Sequence, residues 1–316
     1  MHFAGVIMRR LASTLFATSL LLIGCSPSAG GRDCSIDPLR SECFTSPPAE
    51  ASGGKADAVV GSNSLWPGAD LYLVEDELGF LSRTVLTRLQ QSFAEQTPIR
   101  VHILAHASDA PSTHVVDLHD RWPGEGGVSY GIGADTEKAE SSPESIAHEL
   151  GHVLGLYHTQ SRVDRDEKVL IHWPYISELY KTQMQMVDAT TAHIGPYDTS
   201  SIMQYGSQPL GHDWCVAMTR RTTTNQDPNR CVGPFAGVTD LVRDENIDLD
   251  YNHWYSELDY ARLSVLYCDP RYCADRCASS ERCASPTVAA HRELIYAWER
   301  SADGAAWRAR YPGAAR

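Results

Sequence analysis

Residues 148 to 158 read His-Glu-Leu-Gly-His-Val-Leu-Gly-Leu-Tyr-His. His148 and His152 are four positions apart, so on a helix both imidazoles project from one side, a turn apart, and can reach a single metal ion. Gly155 falls where such a helix must stop: glycine takes the left-handed conformation without a Cβ penalty, and the turn it permits returns His158 as a third ligand. Three histidines suit one zinc ion (Zn2+) and leave a position open for water, whose pKa the metal lowers to about 7. Glu149, beside the first ligand, stands ready to take that proton as general base and to pass it to a departing amine. A bare HExxH also arises on helices that bind nothing. The eleven-residue form with its helix-breaking glycine is far more specific, and it points to hydrolysis of peptide bonds.

A tight turn carrying methionine beneath the metal is the next requirement. Ser201-Ile202-Met203-Gln204-Tyr205-Gly206 begins about 45 residues after His158 and fits it, whereas Met203 on its own would read as ordinary core. The metal-binding segment needs a helix, and Ser142 followed by Pro143 reads as an N-cap and first helical position, with Ile146, Ala147, Leu150, Val153 and Leu154 as its apolar face. Upstream, Leu71 to Val74 reads as a short strand and Leu81 to Phe93 as a helix with one buried stripe. Ile99 to Leu104 reads as a strand, and the glycine-rich run from Val128 to Ala134 as an edge strand. The expected order to that point is strand, helix, strand, strand.

The 316 residues carry 27 Lys and Arg against 40 Asp and Glu, a net charge of -13, which disfavours nucleic acid as a partner. Arg9 and Arg10 precede an apolar run from Leu11 to Ile23, too short for a comfortable permanent span and suited to an export signal, with Met8 a possible alternative start. The run ends Leu22-Ile23-Gly24-Cys25, which resembles the bacterial lipobox. Cys25 would then be acylated and would anchor the chain in outer-membrane lipid, with an ordinary signal peptide as the alternative. From Ser26 to about Asn63 the Ser, Gly, Pro and Ala content reads as a flexible tether. The remaining eight cysteines allow four disulfides. Proximity favours Cys34 with Cys43, Cys215 with Cys231, and two bridges among Cys268, Cys273, Cys277 and Cys283, whose spacing is unlike a structural zinc site.

After His158 the chain continues Thr-Gln-Ser-Arg-Val-Asp-Arg-Asp. Arg162, Asp164, Arg165 and Asp166, with the tyrosine of the methionine turn and Ile171-His172-Trp173, resemble the astacin family of the metzincin clan more than the matrixins. Trp66-Pro67-Gly68 and Leu263 to Cys268 extend the resemblance over about residues 64 to 268. It implies an α+β, two-lobed zinc metalloendopeptidase, with a twisted mixed sheet and the zinc helix in the upper lobe and the Met-turn in the lower. It also implies polypeptide substrates bound extended along the edge strand, and a role for Tyr205 as a further zinc ligand that swings away to hydrogen-bond the oxyanion. The domain reading is residues 1–25 as lipoprotein signal, 26–63 as tether, 64–268 as catalytic domain and 269–316 as a cysteine-containing extension.

Three positions depart from the family pattern. Thr159 replaces a glutamate that anchors a trimmed N-terminus, which suggests that this chain needs no such terminus. Gln204 replaces histidine, and Pro98 replaces a cysteine whose partner would be Cys268, so Cys268 is expected to pair within the tail. Ser207 to Asn252 reads as an insertion, and Asp57 is the weak candidate for a metal-masking aspartate. The competing function is a catalytically silent, zinc-binding surface lipoprotein, which stoichiometric zinc without cleavage would reveal. The extension, with Trp298 and Trp307, reads as a stapled appendage rather than an accessory binding element.

Overall fold

A computed structural model describes residues 65–75, 78–111, 114–122, 127–176, 178–187, 193–207, 217–221 and 255–314. The export signal with Cys25, the tether, Asp57, the cysteine pairs 34/43 and 215/231 and most of the 207–252 insertion lie outside these residues.

Strand β1 (Asp70–Val74) leads into helix α1 (Phe80–Gln96), and β2 (Arg100–Leu104), β3 (Val116–Asp120), β4 (Gly127–Ser129) and β5 (Lys138–Ser141) follow. The sheet order is β2-β1-β3-β5-β4, with four parallel strands and β4 antiparallel to β5 at the edge. Helix α1 forms around the expected stripe at Val85, Leu86, Leu89 and Phe93, all buried, whereas Leu81, also expected on that stripe, lies in the first turn and is exposed. It closes where Thr97 turns back, its hydroxyl donating to Phe93 O at 2.8 Å.

The edge strand is three residues long and starts at Gly127, rather than running from Val128 to Ala134. The chain leaves the ladder at Gly131 (φ 137°) and passes into a 3-10 turn at Gly133–Asp135 (φ 62° at Gly133), conformations that glycine allows and a strand forbids. The order is strand, helix and then four strands; β3 and β5 alternate, with Val116 and Leu118 or Ala139 and Ser141 buried, but over only five and four residues, too short a run to stand out in the sequence.

Helix α2 (Ile146–Val153) packs against β4, β5 and α1. Ser142 and Pro143 open a 3-10 turn (Pro143–Ser145) that feeds α2, rather than α2 itself. All five predicted apolar positions of α2 are buried. They join a core that runs from Leu65 and Trp66 to Val288 and Ile295. A second apolar cluster, built on β6 (Val169–Ile171) and β7 (Met218–Arg220), forms the lower lobe, with Tyr205 packed on it.

Helix α3 (Glu257–Cys268) starts with a capping box between Ser256 and Asp259. Residues 269–314 then add two one-turn helices, α4 (Pro270–Cys273) and α5 (Ser280–Cys283), and two longer ones, α6 (Pro286–Arg300) and α7 (Ala302–Arg310). The first three lie on the same core, and α7 packs on α6. Cys268 bonds to Cys283 and Cys273 to Cys277, both within the tail cluster as expected. Arg282 reaches Pro98 O at 3.2 Å and Asp70 at 2.8 Å, so the position without the family's cysteine is tied to the extension in another way.

Candidate active site

Helix α2 is only two turns long, so its ends have to be satisfied from elsewhere. At its C-terminus Gly155 takes φ 97°, Leu156 N donates to Gly151 O at 2.8 Å and Gly155 N to His152 O at 2.9 Å, a Schellman turn built on the glycine singled out above. The last carbonyls are capped by distant side chains: Trp66 Nε1 donates to Val153 O at 2.7 Å and the Tyr267 hydroxyl to Leu154 O at 3.1 Å. Tyr255 OH holds Ala147 O at 2.7 Å.

On this fixed helix His148 Nδ1 faces Ile202 O at 2.9 Å and His152 Nδ1 faces Leu156 O at 2.8 Å. A carbonyl only accepts, so each Nδ1 carries the proton and each Nε2 presents its lone pair. His158 Nε2 stands 3.2 Å from His148 Nε2 and 3.0 Å from His152 Nε2. Nitrogens bound to a tetrahedral zinc at about 2.0–2.1 Å are roughly 3.3–3.4 Å apart. Three imidazole nitrogens gathered this closely have the spacing of metal ligands, and the set fits zinc. Burial drives His152 down to about 3, with His148 adding to the shift, and it carries His158 well below the usual range. Both are therefore neutral, as ligands must be.

Glu149 is buried beside the first histidine, and β4 lies directly against it. A Cβ on Gly127 would sit 2.5 Å from Glu149 Cγ and 2.6 Å from Oε1. Burial pushes the Glu149 carboxyl up to about 8, against the opposing pull of Arg121 and the Ser129 N–H. A divalent cation alongside would draw that value back down.

The turn at residues 201–205 lies below. Met203 is buried with its sulfur against the Cα of Gly151, between the two helix-borne histidines, and its carbonyl accepts from Thr159 N at 2.9 Å. Asp259 on α3 holds this turn, accepting from Ser201 Oγ at 2.7 Å and Ile202 N at 2.8 Å while pairing with Arg262. Tyr205 is held by its backbone N–H on Gln160 Oε1 at 3.0 Å, and its ring centroid lies 4.3 Å from that of His158. Gln204 fills the place of the family's histidine, accepting from Tyr197 OH at 2.6 Å and donating to Tyr205 O at 3.0 Å. Thr159 is buried in a small cavity with Arg162, Asp259 and Arg262.

Of the predicted site residues, His148, Glu149, His152, His158, Met203 and Tyr205 come together, and Cys25 lies outside the described residues. Asp259 and Gln160 were missed. The signal for Asp259 was there, an acid three residues after Ser256 at the head of an apolar helix, but a cap reading says nothing about the distant turn it also holds.

The segment that holds this site is similar to known proteins. The family model described as Astacin, a peptidase family, matches residues 62–234. The chain is 31% identical over 179 residues to astacin-like metalloprotease toxin 5 of Loxosceles gaucho, covering 53% of this chain and 92% of that protein. It is 43% identical over 85 residues to zinc metalloproteinase nas-31 of Caenorhabditis elegans, covering 26% of this chain and 14% of that one. With low choriolytic enzyme of Oryzias latipes it shares 37% over 105 residues, 33% of this chain and 34% of that one. The solved structure of high choriolytic enzyme 1 from the same fish aligns at TM-score 0.48 and 21% identity over 67% of this chain and 98% of that one. The matched segment holds all three histidines, Glu149 and the methionine turn and spans more than half of the 316 residues; the chain belongs to the astacin family, zinc metalloendopeptidases with a single catalytic zinc.

Proposed function

We propose that this protein cleaves internal peptide bonds of extended polypeptides, with His148, His152 and His158 as zinc ligands and Glu149 as general base. The observation that carries this reading is the convergence of three imidazole nitrogens, two with tautomers fixed by carbonyls, beside a buried carboxyl walled in by the sheet edge. Zinc, when bound, supplies Lewis acidity, polarising the scissile carbonyl and acidifying water. Glu149 takes the proton of the attacking water at its carboxylate and delivers it to the leaving amine. The free edge of β4 pairs with the substrate backbone, which keeps the chain extended across the site. Tyr205, packed on His158 and fixed through Gln160, donates its hydroxyl hydrogen to the charge that develops on the carbonyl oxygen. Met203 supports the floor under the ligands.

The deciding experiment is cleavage of a quenched fluorescent peptide library by the full chain, with and without a zinc chelator and alongside Glu149→Ala. Chelator-sensitive cleavage that the substitution abolishes supports the endopeptidase. Stoichiometric zinc with no cleavage supports the silent binding protein instead.

We also infer export with acylation at Cys25, from the Arg9-Arg10 and apolar run that ends in Leu22-Ile23-Gly24-Cys25. Residues 26–63 would then tether the catalytic part to the membrane. Labelling with an alkyne fatty acid should mark the wild-type chain and leave Cys25→Ala unmarked, and label on both would sink the idea.

A further inference from the structure

Trp307 is far from the histidines in sequence, on α7 of the C-terminal extension, yet its indole Nε1 donates to Asp164 Oδ2 at 2.7 Å. The same carboxylate accepts Arg162 Nε and NH2, each at 2.9 Å, in a buried bidentate pair. Arg162 NH2 also donates to Gly195 O at 3.0 Å. The extension holds that second partner too. A Cβ on Gly195 would be 2.5 Å from Ile295 Cδ1, and His193 N donates to Ala314 O at 3.2 Å. The guanidinium of Arg162 is thus held between two groups of the catalytic part, each braced from behind by α6, α7 or the residues after them.

Arg162 is also the last residue of the turn that begins at the third histidine. Ser161 N donates to His158 O at 3.0 Å and Arg162 N to Thr159 O at 3.2 Å, so little slack separates the guanidinium from the imidazole. A buried ion pair holds its geometry only while its remaining acceptor sites are satisfied, and Trp307 supplies the donor that Arg162 leaves open on Oδ2.

We propose that Trp307 is a positioning residue of the metal site: it fixes Asp164, and through it Arg162, so that the turn after His158 presents that ligand as zinc requires. The proposal rests on the zinc reading above. It also makes the C-terminal extension a working part of the peptidase rather than an appendage.

The test is made on the full chain. Partners that orient ligands from outside the first layer are worth about 10–100-fold in metal affinity. Trp307→Phe, which keeps an aromatic ring and loses the N–H, should weaken zinc binding about tenfold in competition with a chromogenic chelator. It should also alter the visible spectrum of the cobalt-substituted protein and speed amide exchange over residues 158–166 in the metal-free form. Arg300→Ala, on the exposed side of α6, should leave all three unchanged. If Trp307→Phe fails to fold, Asp164→Asn decides, since it keeps the shape, weakens the hold on Arg162 and carries the same expectation. Wild-type zinc affinity and cobalt spectrum in the folded variants, even with a lowered melting temperature, would overturn the positioning role alone. A wild-type chain that takes up no zinc would overturn both this role and the proposed function.

Discussion

Gly127 offers the sharpest test of how the sheet edge and the candidate base are fitted to each other. Its φ is not left-handed, so alanine can adopt the backbone, and what fails to fit is the added methyl. An ideal Cβ there would lie 2.5 Å from Glu149 Cγ, 2.6 Å from Oε1 and 2.8 Å from Cδ. Non-bonded carbons settle at about 3.5–4.0 Å, so either the carboxyl or β4 has to yield by roughly 1 Å or more. Such overpacking costs about 1–3 kcal/mol. Restricting the unfolded chain by replacing glycine returns about 0.4–1 kcal/mol, which leaves a net loss on the order of 1 kcal/mol. The catalytic effect should be larger, because a misplacement of about 1 Å at a reacting group is worth on the order of 100-fold. The assay is kcat on a fluorogenic peptide with zinc content measured in parallel, plus urea unfolding of the metal-free protein. Gly127→Ala should lose about 100-fold in kcat while keeping its zinc. In a Glu149→Ala background, where the crowding atoms are gone, the same change should no longer destabilise. A kcat within threefold of wild type, or a stability loss that persists without the Glu149 side chain, would refute the reasoning.

Tyr205→Phe removes the hydroxyl and keeps the ring against His158, so kcat should fall by about 10²–10³-fold with zinc stoichiometry unchanged; unchanged kcat would remove Tyr205 from catalysis. Asp259→Asn leaves a buried guanidinium, that of Arg262, short of a charge partner and disturbs the turn under the site. Urea unfolding should show a loss of about 2–4 kcal/mol, and a loss below 1 kcal/mol would mean the turn is held by something else. Lys138 and Arg121 hold the Glu140 carboxyl down to about 2, so its contribution exists above the unfolded carboxyl pKa of about 4.3 and disappears as pH falls through about 2. The pairs are exposed to solvent, which keeps the effect small. Glu140→Gln should flatten the acid limb of the stability curve between those values, and an unaltered limb would count against the pairing.

The chemistry was legible because it is written locally. Three ligands, a base and a helix stop occupy eleven consecutive positions, and their spacing relates directly to one turn of helix. Helix α1 was equally plain, since its apolar residues repeat on one face. Strands β3 and β5 were not, because a parallel strand is specified by what covers both its faces, and in Val116–Asp120 and Lys138–Ser141 two residues each suffice. Glycine-rich sequence at 127–134 signalled a strand edge but not its length, which is set by backbone angles that only the folded turn imposes. What holds the site from a distance left no local trace. Nothing around Asp259 names Ser201, nothing around Gln160 names the backbone of Tyr205, and a lone tryptophan on α7 does not announce a carboxylate at 164.

The capping of α2 also bears on when the protein becomes a peptidase at all. The carbonyls of that two-turn helix are closed by Trp66, 80 residues before its start, and by Tyr255 and Tyr267 from the last third of the chain. A helix this short has little independent stability, so the ligand pair it carries should acquire its geometry only after residues 66, 255 and 267 have come together around it. During synthesis the motif is therefore present before its site is assembled. A nascent or partly unfolded copy carries an unassembled site, and the interval in which an active protease coexists with its own unfinished chain is shortened by the order in which the contacts can form.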